Sequence, residues 1–198
     1  MAFAIARDGN VARALDREHF ERLLKESYRQ AYALAYRLTG NAADAEDLLQ
    51  DAAIRAYRFF HQYDPELPFG KWLAKIVCNA NVDRIRRRGR LRTTSLDQPS
   101  EAGGHVPEFA DWNSLPDRAM VEESVSDPLQ EGLAAVRPEF RTAVVLADIE
   151  GMEYEEIAQT MGTSVGTVRS RIHRGRKQLR RYLLEKFPDF VARMVDEL

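Results

Sequence analysis

Two runs of the chain concentrate one kind of chemistry. Arg84, Arg86, Arg87, Arg88, Arg90 and Arg92 fall within nine residues that hold no acid. Arg169, Arg171, Arg174, Arg176, Lys177, Arg180 and Arg181 fall within thirteen, again without an acid. Clustered fixed cations bind polyanions, and two clusters far apart in the chain suggest two contacts. The net charge of −2 conceals this, because residues 93–135 carry nine acids and one base. That segment is −8 and the rest of the chain +6. The plainer reading is two solvated helix faces, but such faces usually mix both signs.

Catalysis finds no comparable footing. Ser170 and His173 are helical neighbours, yet no nucleophile, base and orienting group assemble at helical spacing. There is no glycine-rich phosphate loop and no metal-ligand spacing. One cysteine, Cys78, excludes an internal disulfide and, with four scattered histidines, disfavours structural zinc. Cys78 follows apolar Val77 and reads as a buried, inert thiol rather than a redox sensor. The expectation is a protein that is not an enzyme and uses no cofactor and no metal. No apolar run approaches the ~20 residues that cross a bilayer. The N-terminus has no signal core. We therefore expect a cytoplasmic location without membrane insertion.

The elements that must carry the cations are helices. Phe20, Leu23, Leu24, Ala31, Leu34, Ala35 and Leu38 recur at three- and four-residue spacing, predicting a helix over 17–39. Gly40 suits its left-handed end and Asn41 caps a second helix reaching about residue 63. The apolar face of that helix is Ala45, Leu49, Ala52, Ala56, Phe59 and Phe60. Pro65 and Pro68 make the next segment a loop. A third helix begins near Phe69 with a core stripe of Leu73, Val77 and Ala80. Periodicity then fails over 93–127, where Gly103-Gly104 and three prolines punctuate an acidic stretch. This reads as a linker with a short helix near 117–124. It is either a solvated tether or a shadow over one basic face.

Helical patterns resume at 129–136 and again from Pro138 to a stop at Gly151. A short helix over 154–161, a tight turn at Gly162-Thr163 and a longer helix from Ser164 describe a helix-turn-helix. Ile157, Ala158 and Met161 face Val165, Val168 and Ile172. Thr167, Arg169, Ser170, Arg171, His173, Arg174 and Lys177 are left outside, where a recognition helix meets base edges and phosphates. The tail at 187–198 carries a helix-breaking proline, Pro188, as its second residue.

The stretch YEEIAQTMGTSVGTVRSRIHRGR, 154–176, resembles region 4 of bacterial RNA polymerase sigma factors of the extracytoplasmic function (ECF) type. AYRLTGNAADAEDLLQDAAIRAYRFF and FGKWLAKIVCNANVDRIRRR, within 35–88, resemble their region 2. The two motifs stand in the family's order, and together they are far more specific than either alone. The resemblance implies an all-α protein of two small helical domains, a region 2 bundle and a region 4 helix-turn-helix, joined by a flexible acidic linker. The corresponding boundaries are a 1–16 tail, region 2 at 17–92, the linker at 93–128, region 4 at 129–186 and a 187–198 tail. It further implies an alternative sigma factor that directs promoter-specific initiation through −10 and −35 elements.

Site residues follow from the same resemblance. Asp44, Asp47, Leu48, Asp51 and Ile54 match the helix that docks on the clamp of the largest polymerase subunit. An acidic stripe holding an exposed isoleucine suits a basic partner; a solvated acidic face is the alternative. Tyr63, Phe69, Trp72, Asn79, Asp83, Arg84, Arg86, Arg87 and Arg88 match the surface that melts and reads the −10 element. Aromatic rings beside cations suit a melted strand, although Trp72 also suits core packing. The partners implied are core polymerase, promoter DNA as duplex and melted strand, and an anti-sigma protein, with the free chain a monomer. The rival is a dimeric operator-binding regulator using the same helix-turn-helix without polymerase; it leaves the 44–54 stripe and the 84–92 arginines unexplained.

Overall fold

The computed structural model describes the backbone of residues 2–93 and 128–196 and the side chains of 17–89 and 128–193. The expected acidic linker, and the short helix within it, lie outside the described residues. Among the described residues all regular structure is helical. α1 spans Ala2–Thr39, α2 Ala42–Arg58 and α3 Phe69–Thr93. α4 spans Pro128–Ala135, α5 Pro138–Val144, α6 Tyr154–Met161, α7 Val165–Lys186 and α8 Pro188–Asp196.

Local chemistry sets these boundaries. Gly40 adopts φ 86° and its N–H bonds the Tyr36 carbonyl at 2.7 Å, closing α1. Asn41 Oδ1 then accepts the Asp44 N–H at 2.9 Å and starts α2. Three boundaries differ from the sequence reading. α1 begins at Ala2 rather than at residue 17, so the supposed N-terminal tail has helical backbone. α2 stops at Arg58 and yields to a 3₁₀ turn, Phe60–Gln62, which leaves Phe59 half exposed. Pro188 opens α8 instead of ending the fold, because proline's fixed φ and missing N–H are harmless in a first turn.

α1, α2 and α3 pack on one another around Phe20, Tyr32, Leu38, Leu48, Leu73 and Val77, all essentially buried. Each such side chain contributes about 1.5–3 kcal/mol of burial. α5 and α7 form the spine of the second half, around Leu133, Val145, Leu146, Ile157 and Val168. The sequence predicts that α5 runs unbroken to Ile149. Instead it widens into a π turn, Val145–Ile149, closed by the Glu150 N–H on the Val145 carbonyl at 3.0 Å. Val145 and Leu146 stay buried through that widening, before Gly151 turns the chain at φ 65°.

The two halves also touch. Buried apolar side chains from both form one continuous cluster. Asn81 Nδ2 of α3 donates to Thr142 Oγ1 of α5 at 3.0 Å, with both residues buried. Gln130 Nε2 donates to the Tyr36 carbonyl at 3.2 Å. Lys75 Nζ meets Glu156 Oε1 at 3.4 Å in the open. Cys78 is 1% exposed on this side of α3, and burial, with Glu150 and Glu156 near, pushes its thiol up to about 12.

Candidate nucleic-acid interface

The helix-turn-helix forms as its residues dictate. Gly162 takes the left-handed conformation, φ 52°, and its N–H bonds back to the carbonyls of Ala158 and Gln159. Any side chain there would be strained. Ser164 Oγ accepts the Thr167 N–H at 3.2 Å and starts α7. Val168 and Ile172 are buried beneath it, while Arg169, Ser170, His173, Arg174 and Lys177 are exposed. Thr167 and Arg171 are half buried, and Arg171 Nη1 rests 4.0 Å from Met161 Sδ. The outer face of α7 is thus cationic, with no acid in its first turn and the positive end of the helix dipole adding to it.

Two residues position this helix that its motif did not reveal. Gly175 is buried where α7 crosses α5; a Cβ there would lie 3.0 Å from the Phe140 carbonyl and closer still to Val144. Arg176, though in the basic run, is turned to Asp148, with Nε at 2.9 Å and Nη2 at 2.5 Å from its two oxygens. The signal in the sequence was a glycine inside an otherwise strong helix, which costs roughly 1 kcal/mol unless packing requires it.

The arginine run on α3 is less free than the sequence implies. Arg84 donates to the Asp44 carbonyl at 3.0 Å and to Asp44 Oδ1 at 2.8 Å; Arg88 reaches the same Oδ1 at 2.8 Å. The Asn41 amide, then Arg88 and Arg84, hold the Asp44 carboxyl below its usual range. Asp83 accepts from Arg55 at 2.7 Å. Arg86 lies against the Gly162 turn of the helix-turn-helix. Arg87 and Asn79 remain exposed.

On α2 the acidic stripe is partly available. Asp47 has a 72% exposed side chain and Asp51 is exposed, with Ile54 half buried between the stripe and the core. Leu48 is 0% exposed, which corrects its expected place on the surface: it sits under the stripe and offers no contact. The same holds for Phe69. At 5% exposure it packs edge-on to Phe20 and Tyr63, with ring centroids 5.9 and 5.3 Å away. It seats the half-buried Tyr63 and Trp72, which lie 5.3 Å apart and keep part of their surface open. Tyr63 also donates to the Leu67 carbonyl at 2.7 Å, shaping the proline loop. Asp47 and Asp51 share a shallow cleft with Arg84, Arg87 and Arg88, so the acidic and basic surfaces meet between α2 and α3.

Residues 23–91 match the family described as Sigma-70 region 2, and residues 126–179 that described as Sigma-70, region 4. The chain is 46% identical over 164 residues to the ECF RNA polymerase sigma factor SigE of Mycolicibacterium smegmatis, covering 83% of this chain and 61% of that protein. It is 32% identical over 169 residues to the ECF RNA polymerase sigma factor SigW of Bacillus subtilis, covering 85% and 90%. Its fold is similar to the sigma factor RpoE of Bartonella quintana, solved with the anti-sigma factor NepR, at TM-score 0.53 and 23% identity over 84% of this chain and 97% of that one.

Proposed function

Because the chain belongs to the sigma-70 family, in its extracytoplasmic function branch, we propose that it is an alternative sigma factor that binds core RNA polymerase and directs it to a specific class of promoters. The observation that carries this reading is the pairing in one chain of a capped helix-turn-helix with a cationic α7 and an α2–α3 bundle bearing exposed Asp47 and Asp51. An operator-binding regulator accounts for the first and not for the second.

The roles divide by surface. Asp47, Asp51 and Ile54 dock on the clamp, while Asp44 organises the helix from inside through Arg84 and Arg88. Tyr63 and Trp72 offer stacking edges to the melted −10 strand, with Asn79 and Arg87 at its flank. Arg169, Ser170, His173, Arg174 and Lys177 face the −35 duplex. The protein itself is not catalytic, acts in the cytoplasm, and is a candidate for control by an anti-sigma protein covering these surfaces.

The contact between the halves bears on this function. Elements named for −10 and −35 lie roughly 25 base pairs apart, about 85 Å at 3.4 Å per base pair. Halves joined through Asn81–Thr142 cannot reach both, so polymerase binding separates them. The free protein accordingly binds promoter DNA weakly, and two modest contacts become specific only when fixed on one polymerase.

The test is co-elution with bacterial core polymerase at moderate salt. A one-to-one complex is expected for the wild type, and its loss for Asp47→Arg combined with Asp51→Arg. Undiminished binding of that double variant sinks the clamp assignment. A dimeric free protein that shifts duplex DNA tightly without polymerase favours the operator-binding regulator.

A further inference from the structure

Arg141 is 6% exposed and its guanidinium is poorly served. Nη1 reaches the Leu133 and Ala134 carbonyls only at 3.5 and 3.4 Å. Its Nε has no hydrogen-bond partner, and among the described residues no acid lies within ion-pair distance of it, Asp44 attracting it only from further off. A buried, unpaired cation is costly and signals a missing counter-charge. Arg141 lines a cleft of about 450 Å³ formed by both halves: Leu38, Arg84, Ile85 and Arg88 on one side, Pro138 and Arg141 on the other. That volume falls in the range of small-molecule sites, and the lining joins an apolar patch of Leu38, Ile85 and Pro138 to a strongly charged rim.

The charges within the cleft define the occupant. Asp44 bridges Arg84 and Arg88, and with Glu139 against the three arginines the lining keeps one net positive charge, Arg141 being the cation without an ion-pair partner. Asp44 and Glu139 also line the cleft and oppose a multiply charged ligand. Leu38, Ile85 and Pro138 ask for a hydrocarbon body.

We propose that this cleft binds a small aliphatic monocarboxylate, whose headgroup pairs with Arg141 and whose body lies against Leu38, Ile85 and Pro138. Since both halves build the site, occupancy holds them together, and by linkage it opposes whatever separates them. That the opposed event is polymerase binding rests on the function proposed above; the binding itself does not.

The experiment follows the Arg141 Nε–H resonance of the full chain during titration with hexanoate. Hexanol and inorganic phosphate serve as controls for the body and the charge alone. Hexanoate is expected to shift the resonance saturably, with the two controls at least tenfold weaker. Arg141→Met removes the cation at similar volume, and Ile85→Trp fills the cleft while keeping Arg141; each should weaken hexanoate binding at least tenfold, read by calorimetry. Absence of a saturable hexanoate shift, undiminished binding by Ile85→Trp, or a stronger response to phosphate would overturn the proposal; the last would mark Arg141 as a phosphate contact instead. If hexanoate binds as expected but leaves core-polymerase affinity unchanged, the site stands and the coupling to polymerase fails.

Discussion

Arg84 on α3 and Asp44 on α2 lie 2.8 Å apart with side chains only 16% and 28% exposed, and Arg88 closes on the same carboxylate oxygen. The family resemblance distributes these residues between a polymerase surface and a DNA surface. In the folded chain they are first of all the clip that fixes α2 on α3.

The clip has a pH signature. Asn41, Arg88 and Arg84 depress the Asp44 pKa in the folded state. A depressed carboxylate contributes stability that is present above its unfolded value, about 3.9, and is lost as pH falls through the folded value. Asp44→Asn should therefore cost about 1 kcal/mol at pH 7, the partial exposure discounted. The gap to wild type should begin to narrow near pH 4 and close only as the pH falls below the depressed folded value. Urea midpoints at pH 7 and pH 3 measure this; equal midpoints at pH 7 would remove the clip.

Asn81 and Thr142 give a second prediction. Asn81→Ala removes a buried bond between the halves and should cost about 1 kcal/mol, Thr142 keeping its own bond to the Pro138 carbonyl at 2.8 Å. Asn81→Arg places a charge in the junction and should part the halves without unfolding either. Small-angle scattering would show a larger radius of gyration at unchanged helical circular dichroism. An unchanged radius would mean that the apolar contacts alone hold the junction.

Gly175 supplies the third. Gly175→Ala gains helix propensity of roughly 1 kcal/mol. Its Cβ nevertheless meets the Phe140 carbonyl, which is backbone and cannot turn away. Overpacking of this kind costs about 1–3 kcal/mol, so the net change should be destabilising. A rise in melting temperature would show that α5 and α7 can move apart there.

These residues mark where the sequence was readable. Caps and turns at Gly40, Asn41 and Gly162 were legible because they follow from one residue and its immediate neighbours. The outward face of α7 was legible because helical period fixes it once Val168 and Ile172 are placed inside. Leu48 was assigned to the docking surface by resemblance rather than by period, and a helix this alanine-rich buries a wider stripe than Ala45, Leu49, Ala52 and Ala56 define. Asn81, Arg141 and Gly175 act across pairs of helices distant in sequence, and no local period encodes those crossings. Residues 17–92 and 129–186 read as independent because the acidic segment parts them in sequence, whereas their contact depends on side chains from both.

The last prediction separates cations that touch DNA from those that hold the fold. Arg169 and Arg174 are exposed on α7, while Arg176, in the same run, is tied to Asp148 through both carboxylate oxygens. Removing one cation from a phosphate lowers the slope of log affinity against log salt by about 1, because fewer counterions are released. Arg174→Ala in the assembled holoenzyme should weaken binding to a promoter duplex and flatten that slope by about 1. Arg176→Ala should leave the slope alone and cost about 0–1 kcal/mol of stability in the second half, as a surface ion pair does. Fluorescence anisotropy across a salt series, with thermal melts of the same proteins, reads both. A slope change for Arg176→Ala equal to that for Arg174→Ala would place Arg176 on the DNA and break the distinction drawn from its bond to Asp148.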